Sequence, residues 1–461
     1  MVHHAKAEAA RPGLSAAPET IAAIATAPGR GALGIVRLSG PEAANIARQI
    51  VSDLPKPREA MLRHFRDENG EVIDRGLVLY FPAPNSFTGE DVVELHGHGG
   101  AVVLQALLQA ARAGGARLAR PGEFSERAFL NGRLDLVQAE AIADLIDASS
   151  REAARAASRS LEGEFSARIA TLQARLTDLR VFVEGALDFS DEDVAWLSDP
   201  SLMMRLLELH DAIDETLSQA TQGRRLHDGL TVAIAGQPNV GKSTLLNRLA
   251  GVDRAIVTDI PGTTRDVLRE DIVIDGLPLT VIDTAGLRES DDPVEREGIR
   301  RAWLALEKSE AVLFLVDDRE GAGPRDEALL AKLPHGIPVI VIRNKCDLSH
   351  LAPAREETDR VSVRLSAETG DGIGLLIAEL KRIAGLVTTQ GLFSARARHV
   401  DALRSTRHHV RAAQQSLSRR AAAELAAEEL CLAQRALGEI VGEVTSEDLL
   451  GEIFSRFCIG K

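Results

Sequence analysis

Residues Gly236-Gln-Pro-Asn-Val-Gly241-Lys242-Ser243 carry the spacing G-x-x-x-x-G-K-[ST]. An apolar run, Thr231 to Ala235, leads in, and a helical pattern, Thr244 to Ala250, leads out, which is the strand–loop–helix context that phosphate binding needs. Glycines let backbone N–H groups wrap an anion, and the helix N-terminus adds partial positive charge. Lys242 is placed to bridge the outer phosphates and the Ser243 hydroxyl to hold magnesium, with Asn239, Val240, Gly241 and Thr244 completing the loop. A chance glycine loop is the competing reading, and the flanking pattern makes it a minor one.

Three more segments each follow an apolar run. Asp283-Thr284-Ala285-Gly286 offers an aspartate to the magnesium shell and a glycine N–H to the last phosphate. Asn344-Lys345-Cys346-Asp347 offers a carboxylate that can take two guanine ring N–H protons, where adenine presents no such pair. Ser366-Ala367-Glu368 is placed to meet the same base through its backbone. The order of the four resembles a translation-factor-related GTPase, so GTP and GDP are the expected ligands.

Leu287, after Gly286, can neither donate nor accept a hydrogen bond, so it cannot orient an attacking water as a glutamine would. Glu295, on the acidic stretch 289–297, is the candidate for that task; an ordinary solvated acid is the bland alternative. Thr258-Asp259-Ile260-Pro261-Gly262-Thr263-Thr264 reads as the first switch, all of it counted with the nucleotide contacts, with Thr264 as a second magnesium ligand. Asn239 facing that loop of carbonyls and hydroxyls can cage a hard monovalent cation against the phosphates. Alternatively, Asn239 only stiffens its loop.

These segments need a scaffold. Apolar runs at Thr231 to Ala235, Leu279 to Ile282, Ala311 to Val316 and Val339 to Ile342 predict a mostly parallel α/β sheet, and Asp275-Gly276 predicts one hairpin and hence one antiparallel strand. On either side the pattern is helical. Leu161, Phe165, Ile169, Leu172, Leu176, Leu179, Val183 and Ala186 recur at steps of three and four, and Leu403, Val410 and Leu417 recur by sevens before Ala421, Leu425 and Leu432. The expected fold is therefore multidomain: a mobile tail (1–19), an α+β domain (20–132), a discontinuous helical domain (133–228 and 386–461) and a P-loop domain inserted between its halves (229–385).

At 461 residues and 45% hydrophobic content the chain can fill several cores. A formal charge of −14 with 3% aromatics argues against a broad basic surface or a base-stacking platform, so any RNA contact is local or partner-supplied. Three widely spaced cysteines, Cys346, Cys431 and Cys458, and the lack of a long apolar run point to a reducing, cytoplasmic protein without a membrane anchor.

Pro-Asn-Val-Gly-Lys-Ser, Thr-Asp-Ile-Pro-Gly-Thr-Thr-Arg-Asp, Asp-Thr-Ala-Gly-Leu-Arg-Glu and the ending Phe457-Cys-Ile-Gly-Lys461 sit in this inserted architecture. Pro84-Asn-Ser-Phe-Thr-Gly-Glu-Asp91, Gly97-His-Gly-Gly100 and the block Arg120 to Asn131 precede them. Together, from about Thr20 onward, they resemble the tRNA-modification GTPases of the MnmE (TrmE) family. The resemblance implies a homodimer built through a folate-binding N-terminal domain. It also implies a flavoprotein partner, MnmG, in a heterotetramer, and addition of a carboxymethylaminomethyl-type group to the wobble uridine of certain tRNAs. By motif, potassium falls to Asn239, Thr258, Ile260 and Thr263, magnesium to Ser243 and Thr264, and the water to Glu295, with Lys242 also catalytic. A 5-formyltetrahydrofolate-like group falls to Arg37, Glu94, Arg133 and Lys461; Arg133 stands where some relatives carry lysine.

Thr445-Ser-Glu-Asp448 resembles a capping box, and Leu449, Leu450, Ile453, Phe454 and Phe457 share one helical face, so the helix docks and presents its end. Cys458 is then either a small buried hydrophobe, the reading packing alone favours, or a catalytic thiol near the modification chemistry. Gly29-Arg-Gly-Ala-Leu-Gly34 leads into a strand pattern and so does not read as a dinucleotide fingerprint. His96 and His98 lack a third metal ligand, and the arginines from Arg396 to Arg420 read first as a solvated helix face. Two rival functions remain: an RNA-binding ribosome-assembly GTPase and a folate-dependent one-carbon transferase with a regulatory GTPase.

Overall fold

The computed structural model describes residues 19–188, 200–251, 269–283, 300, 303–304, 306–334, 336–386, 391–418, 423–444 and 447–460. The described residues up to Ala139 form one compact unit with those from 447 on, and Glu140 to Val444 form a second.

In the first unit, alternating strands build a six-stranded sheet from β1 (Ile21–Ile24), β2 (Gly31–Ser39), β3 (Met61–Arg66), β4 (Val72–Phe81), β5 (Val92–Gly99) and β6 (Arg117–Leu118), in the order β3-β4-β5-β2-β1-β6. Helices α1 (Ala43–Val51) and α2 (Ala101–Ala113) cover one face, where Val36, Leu38, Phe65, Val93 and Leu95 meet Ile46, Ile50, Leu107 and Ala111. The glycine-rich stretch before Ile35 does enter a strand.

The block Arg120 to Asn131 forms α3 (Glu123–Leu130) and the turn before it. Glu123 is almost fully buried, yet Arg117, the Arg120 N–H and Arg127 outweigh that burial and hold its carboxyl down at about 2. Arg127 also pairs with Glu90 at 2.9 Å, and the Asn131 amide donates to the Thr88 carbonyl at 2.7 Å, pinning the 84–91 loop. Gly122 has φ +68°, and a Cβ there would lie 2.5 Å from the Phe454 carbonyl oxygen, so the close approach requires glycine.

In the second unit a seven-stranded sheet has the order β12-β13-β11-β10-β7-β9-β8. Five strands run parallel: β7 (Leu230–Gly236), β9 (Leu277–Asp283), β10 (Ala311–Asp317), β11 (Val339–Asn344) and β13 (Val361–Arg364). The expected hairpin joins β8 (Arg269–Ile274) to β9, with Asp275 at φ 49° and Gly276 at φ 82°, the paired left-handed conformation of a two-residue turn. A second antiparallel strand, β12 (Ala354–Glu357), closes the opposite edge, one more than the sequence predicts. Helices cover both faces, among them α8 (Lys242–Ala250), α9 (Pro324–Lys332) and α11 (Ile373–Ala384); α10 (Cys346–Ser349) is a single short turn.

The same unit holds α5 (Arg151–Leu161), α6 (Glu164–Asp188), α7 (Pro200–Asp228), α12 (Ala397–Ser418) and α13 (Ala423–Val441), with α4 (Leu136–Ile146) spanning the boundary between units. Phe165, Ile169, Leu172, Leu176, Leu179 and Val183 are buried along α6, as are Leu403, Val410 and Leu417 along α12. Leu425, predicted on the buried stripe, is instead 56% exposed; α13 buries Ala426, Leu430, Ala433, Leu437 and Ile440. Ala421 lies outside the described residues.

Two buried carboxylates organise the junction between these helices and the sheet. Glu140 binds Arg398 at 2.7 Å, and its carboxylate lies 2.9 Å from His399 Nε2 without the alignment of a hydrogen bond. His399 Nδ1 accepts the Arg396 N–H, which places the ring proton on Nε2; burial, helped by Arg398, pushes its pKa down and keeps the ring neutral. Asp144 receives the Ser394 hydroxyl at 2.5 Å, Arg396 at 2.5 Å and His227 Nε2 at 3.1 Å. His227 belongs to the helix entering the sheet, and Ser394 and Arg396 to the segment leaving it. One carboxylate thus ties both connections.

Candidate nucleotide-binding site

Strand β7 delivers the chain to Gly236 at φ +144°, and the loop closes at Gly241, φ +96°, the N-cap of α8. Asn239 between them also has positive φ, 63°, a conformation asparagine tolerates better than most residues. A Cβ on Gly241 would lie 2.3 Å from the Asn344 amide nitrogen. The first turn of α8 carries no acidic residue, so the positive end of the helix is not neutralised by its own side chains. Lys242 folds over the loop and donates to the Gly236 and Gln237 carbonyls, each at 2.9 Å. Ser243 and Thr244 are exposed on that first turn, and Val240 is buried.

Asn344, 2% exposed, fastens this loop to the loop that follows β13: its amide donates to the Val240 carbonyl at 2.7 Å, and its oxygen accepts the Ala367 N–H at 2.9 Å. Lys345, at φ 70°, reaches back to the Asn239 carbonyl at 2.7 Å and to Asp317 at 2.9 Å. The Arg319 guanidinium, with Lys345, holds the Asp317 carboxyl well below the usual carboxylate range. Ser366 is fully buried and its hydroxyl accepts the Thr369 N–H, shaping the third loop. Asp347 differs from its neighbours: its Oδ1 is buried and makes no hydrogen bond among the described residues. A bare buried acceptor is costly, and a ligand edge with two N–H donors, as guanine has, would satisfy it.

Relatives settle the family. The family described as MnmE helical domain matches residues 136–458, and that described as GTP-binding protein TrmE N-terminus matches 20–133. The tRNA modification GTPase MnmE of Methylococcus capsulatus is 56% identical over 97% of this chain and 100% of its own length. Those of Dechloromonas aromatica and Proteus mirabilis are 54% and 53% identical, each over 96% of this chain and 99% of their own. The chain belongs to the MnmE family. Its members named here are tRNA modification GTPases, and the fold of this chain, with its P-loop sheet and TrmE-type N-terminal unit, is that of a GTP hydrolase of the same kind.

Of the residues that the sequence singles out, Thr258, Asp259, Ile260, Pro261, Gly262, Thr263, Thr264, Thr284, Ala285, Gly286, Leu287, Glu295 and Lys461 lie outside the described residues; Asp283 ends β9, its side chain likewise outside. In the N-terminal unit, Arg37 and Glu94 face each other across β2 and β5 and pair at 2.9 Å. Burial pushes Glu94 up, but the His96 hydrogen bond and the Arg37 charge prevail and its pKa is lowered. The Arg37 guanidinium lies over the Phe124 and Phe87 rings, 5.6 and 5.7 Å from their centroids, and reaches the Gly460 carbonyl at 3.4 Å.

Residues 447–460 are held there by α14 (Glu447–Ser455), whose Phe454 ring is tilted at 41° to Phe129 with 6.4 Å between centroids, and by a bridge between Ile459 and Pro121. Ile453, Phe454 and Phe457 are buried as the helical face predicts. Cys458 is exposed, which overturns the reading of it as a buried hydrophobe. Arg133 is exposed beside Gly89. His96 and His98 are occupied by Glu94 and Asp74, and no cluster of metal-ligating type occurs among the described residues. Arg396, Arg398, Arg404 and Arg407 are engaged in ion pairs with Asp144, Glu140, Asp401 and Asp214. No helix among the described residues is long and apolar enough to cross a membrane.

Sequence reasoning missed Asp317 and Arg248. Asp317 had a signal, a charged residue closing a fully apolar strand at the edge where α/β sheets bind ligands. Arg248 had none, since a helix arginine is usually a solvated one.

Proposed function

We propose that this protein binds GTP at residues 236–244, 344–347 and 366–368. It hydrolyses the nucleotide and, with a flavoprotein partner, MnmG, turns the resulting conformational change into addition of a carboxymethylaminomethyl-type group at the wobble uridine of certain tRNAs. The observation that carries the guanine reading is the unpartnered, buried Asp347 oxygen beside a loop that Asn344 braces against the phosphate loop. Lys242 stands at the phosphate end, and Glu295 is assigned to position the water in place of Leu287.

Ser243 and Thr264 would hold magnesium, and Asn239, Thr258, Ile260 and Thr263 potassium; such cations would supply charge neutralisation at the phosphates. The positive φ of Asn239 and the exposure of Ser243 fit that use. The Arg37–Glu94 pair under aromatic rings, with Arg133 and Lys461, is assigned to a 5-formyltetrahydrofolate-like group, and exposed Cys458 to the modification chemistry. The working form is a cytoplasmic homodimer, joined by MnmG into a heterotetramer.

Mass spectrometry of wobble uridines after gene deletion tests the reading. Loss of the modified nucleoside is expected; intact tRNA with defective ribosomal subunits would replace it with the ribosome-assembly function. Hydrolysis should run faster in potassium than in sodium, and equal rates would remove the cation from Asn239.

A further inference from the structure

Arg248 sits near the end of α8, the helix that begins at the phosphate loop. Its guanidinium crosses to the third loop, where Nε donates to the Ala367 carbonyl at 2.9 Å and Nη2 donates to the Glu368 carbonyl. The N–H groups of that loop are nearly all spoken for. Ser366 N–H goes to the Asp371 carbonyl, Ala367 N–H to Asn344, Thr369 N–H to the Ser366 hydroxyl and Gly370 N–H to the Ser366 carbonyl. Among the described residues the Glu368 N–H has no protein acceptor. It belongs to the same peptide group as the Ala367 carbonyl that Arg248 holds.

We infer that Arg248 is a positioning residue for base recognition: it fixes and polarises the Ala367–Glu368 peptide so that the Glu368 N–H meets the 6-oxo group of guanine. The inference rests on the guanine reading above. A hydrogen-bonded carbonyl makes the N–H of its own peptide a better donor, and a guanidinium holding two successive carbonyls restricts the rotation of the peptide between them. Asp347 reads the N–H edge of the base, and the Arg248-held peptide reads the oxygen. Since Arg248 acts through the Ala367 and Glu368 carbonyls, its effect is read in affinity and base choice.

The test uses the full-length protein and three diphosphates: GDP, the 2-aminopurine analogue that lacks the 6-oxo group and with it the N1–H, and the inosine analogue that lacks the 2-amino group. Affinities come from displacement of a fluorescent guanine nucleotide. For Arg248→Ala, GDP binding should weaken about 3- to 10-fold, the worth of one hydrogen bond. Binding of the 2-aminopurine analogue should stay at the wild-type level, so that 6-oxo discrimination falls while 2-amino discrimination persists. Arg248→Lys, with one point donor for two carbonyls, should recover part of the loss and keeps the test open if the alanine variant fails to fold. Equal weakening of all three ligands, or unchanged GDP binding, overturns the inference. A wild-type protein that does not prefer GDP over the 2-aminopurine analogue overturns the guanine reading itself.

Discussion

Lys345 and Asp347 stand two positions apart and are used in opposite ways. The lysine is spent on the protein, bridging Asp317 and the Asn239 carbonyl, whereas the aspartate keeps a buried oxygen unpaired. Asp347→Asn replaces an acceptor with a group that is half donor, so GDP affinity should fall by about 10- to 100-fold, as for hydrogen bonds to a charged partner, with the melting temperature little changed. Titration with a fluorescent nucleotide measures it, and unchanged affinity would withdraw the guanine assignment. Glu295→Ala should lower kcat while leaving GTP affinity nearly intact; single-turnover hydrolysis at a wild-type rate would return Glu295 to an ordinary solvated acid. The two substitutions separate base recognition from chemistry.

At the scale of elements, the left-handed turn at Gly241 sets the spacing between the phosphate loop and Asn344. Gly241→Ala adds backbone strain of about 1–3 kcal/mol and a methyl group 2.3 Å from the Asn344 amide. GDP binding should drop more than tenfold while far-ultraviolet circular dichroism stays native; normal binding would show that the loop can shift away. Such local devices were legible in the sequence because glycine spacing and apolar runs act over few residues. The hairpin at Asp275-Gly276 and the four strands behind the loops emerged for that reason. Strand β12 was not legible, since Ala354–Glu357 is polar and mostly exposed on an edge, with no alternation to detect. The stripe on α13 was misphased at Leu425 because alanines occupy much of its buried face. Arg248 and Asp144 were invisible for another reason: their partners lie 119 and 250 residues away, beyond any local pattern.

Across the whole molecule, the charge network around Asp144 makes the second unit sensitive to pH. Hydrogen bonds to Asp144 and Asp228 raise His227 to about 9, from an ordinary value near 6.5. A raised histidine stabilises fully below about 6.5, and that contribution disappears as pH climbs through about 9. Thermal stability should therefore decline across that window, and Asp144→Asn should flatten the decline while lowering stability at pH 7; an identical pH profile in the variant would exclude the pair as its origin. Because His227 and Ser394 both touch the same carboxylate, the two ends of the sheet domain emerge almost side by side. The domain is thus a cassette in the topological sense. A bridge of a few residues, each spanning at most ~3.6 Å, could replace everything between those ends without stretching the helices it joins. Excision would bare Ala156, Leu226 and Leu392, which now share its core, and these are the positions where a shortened chain would need polar side chains.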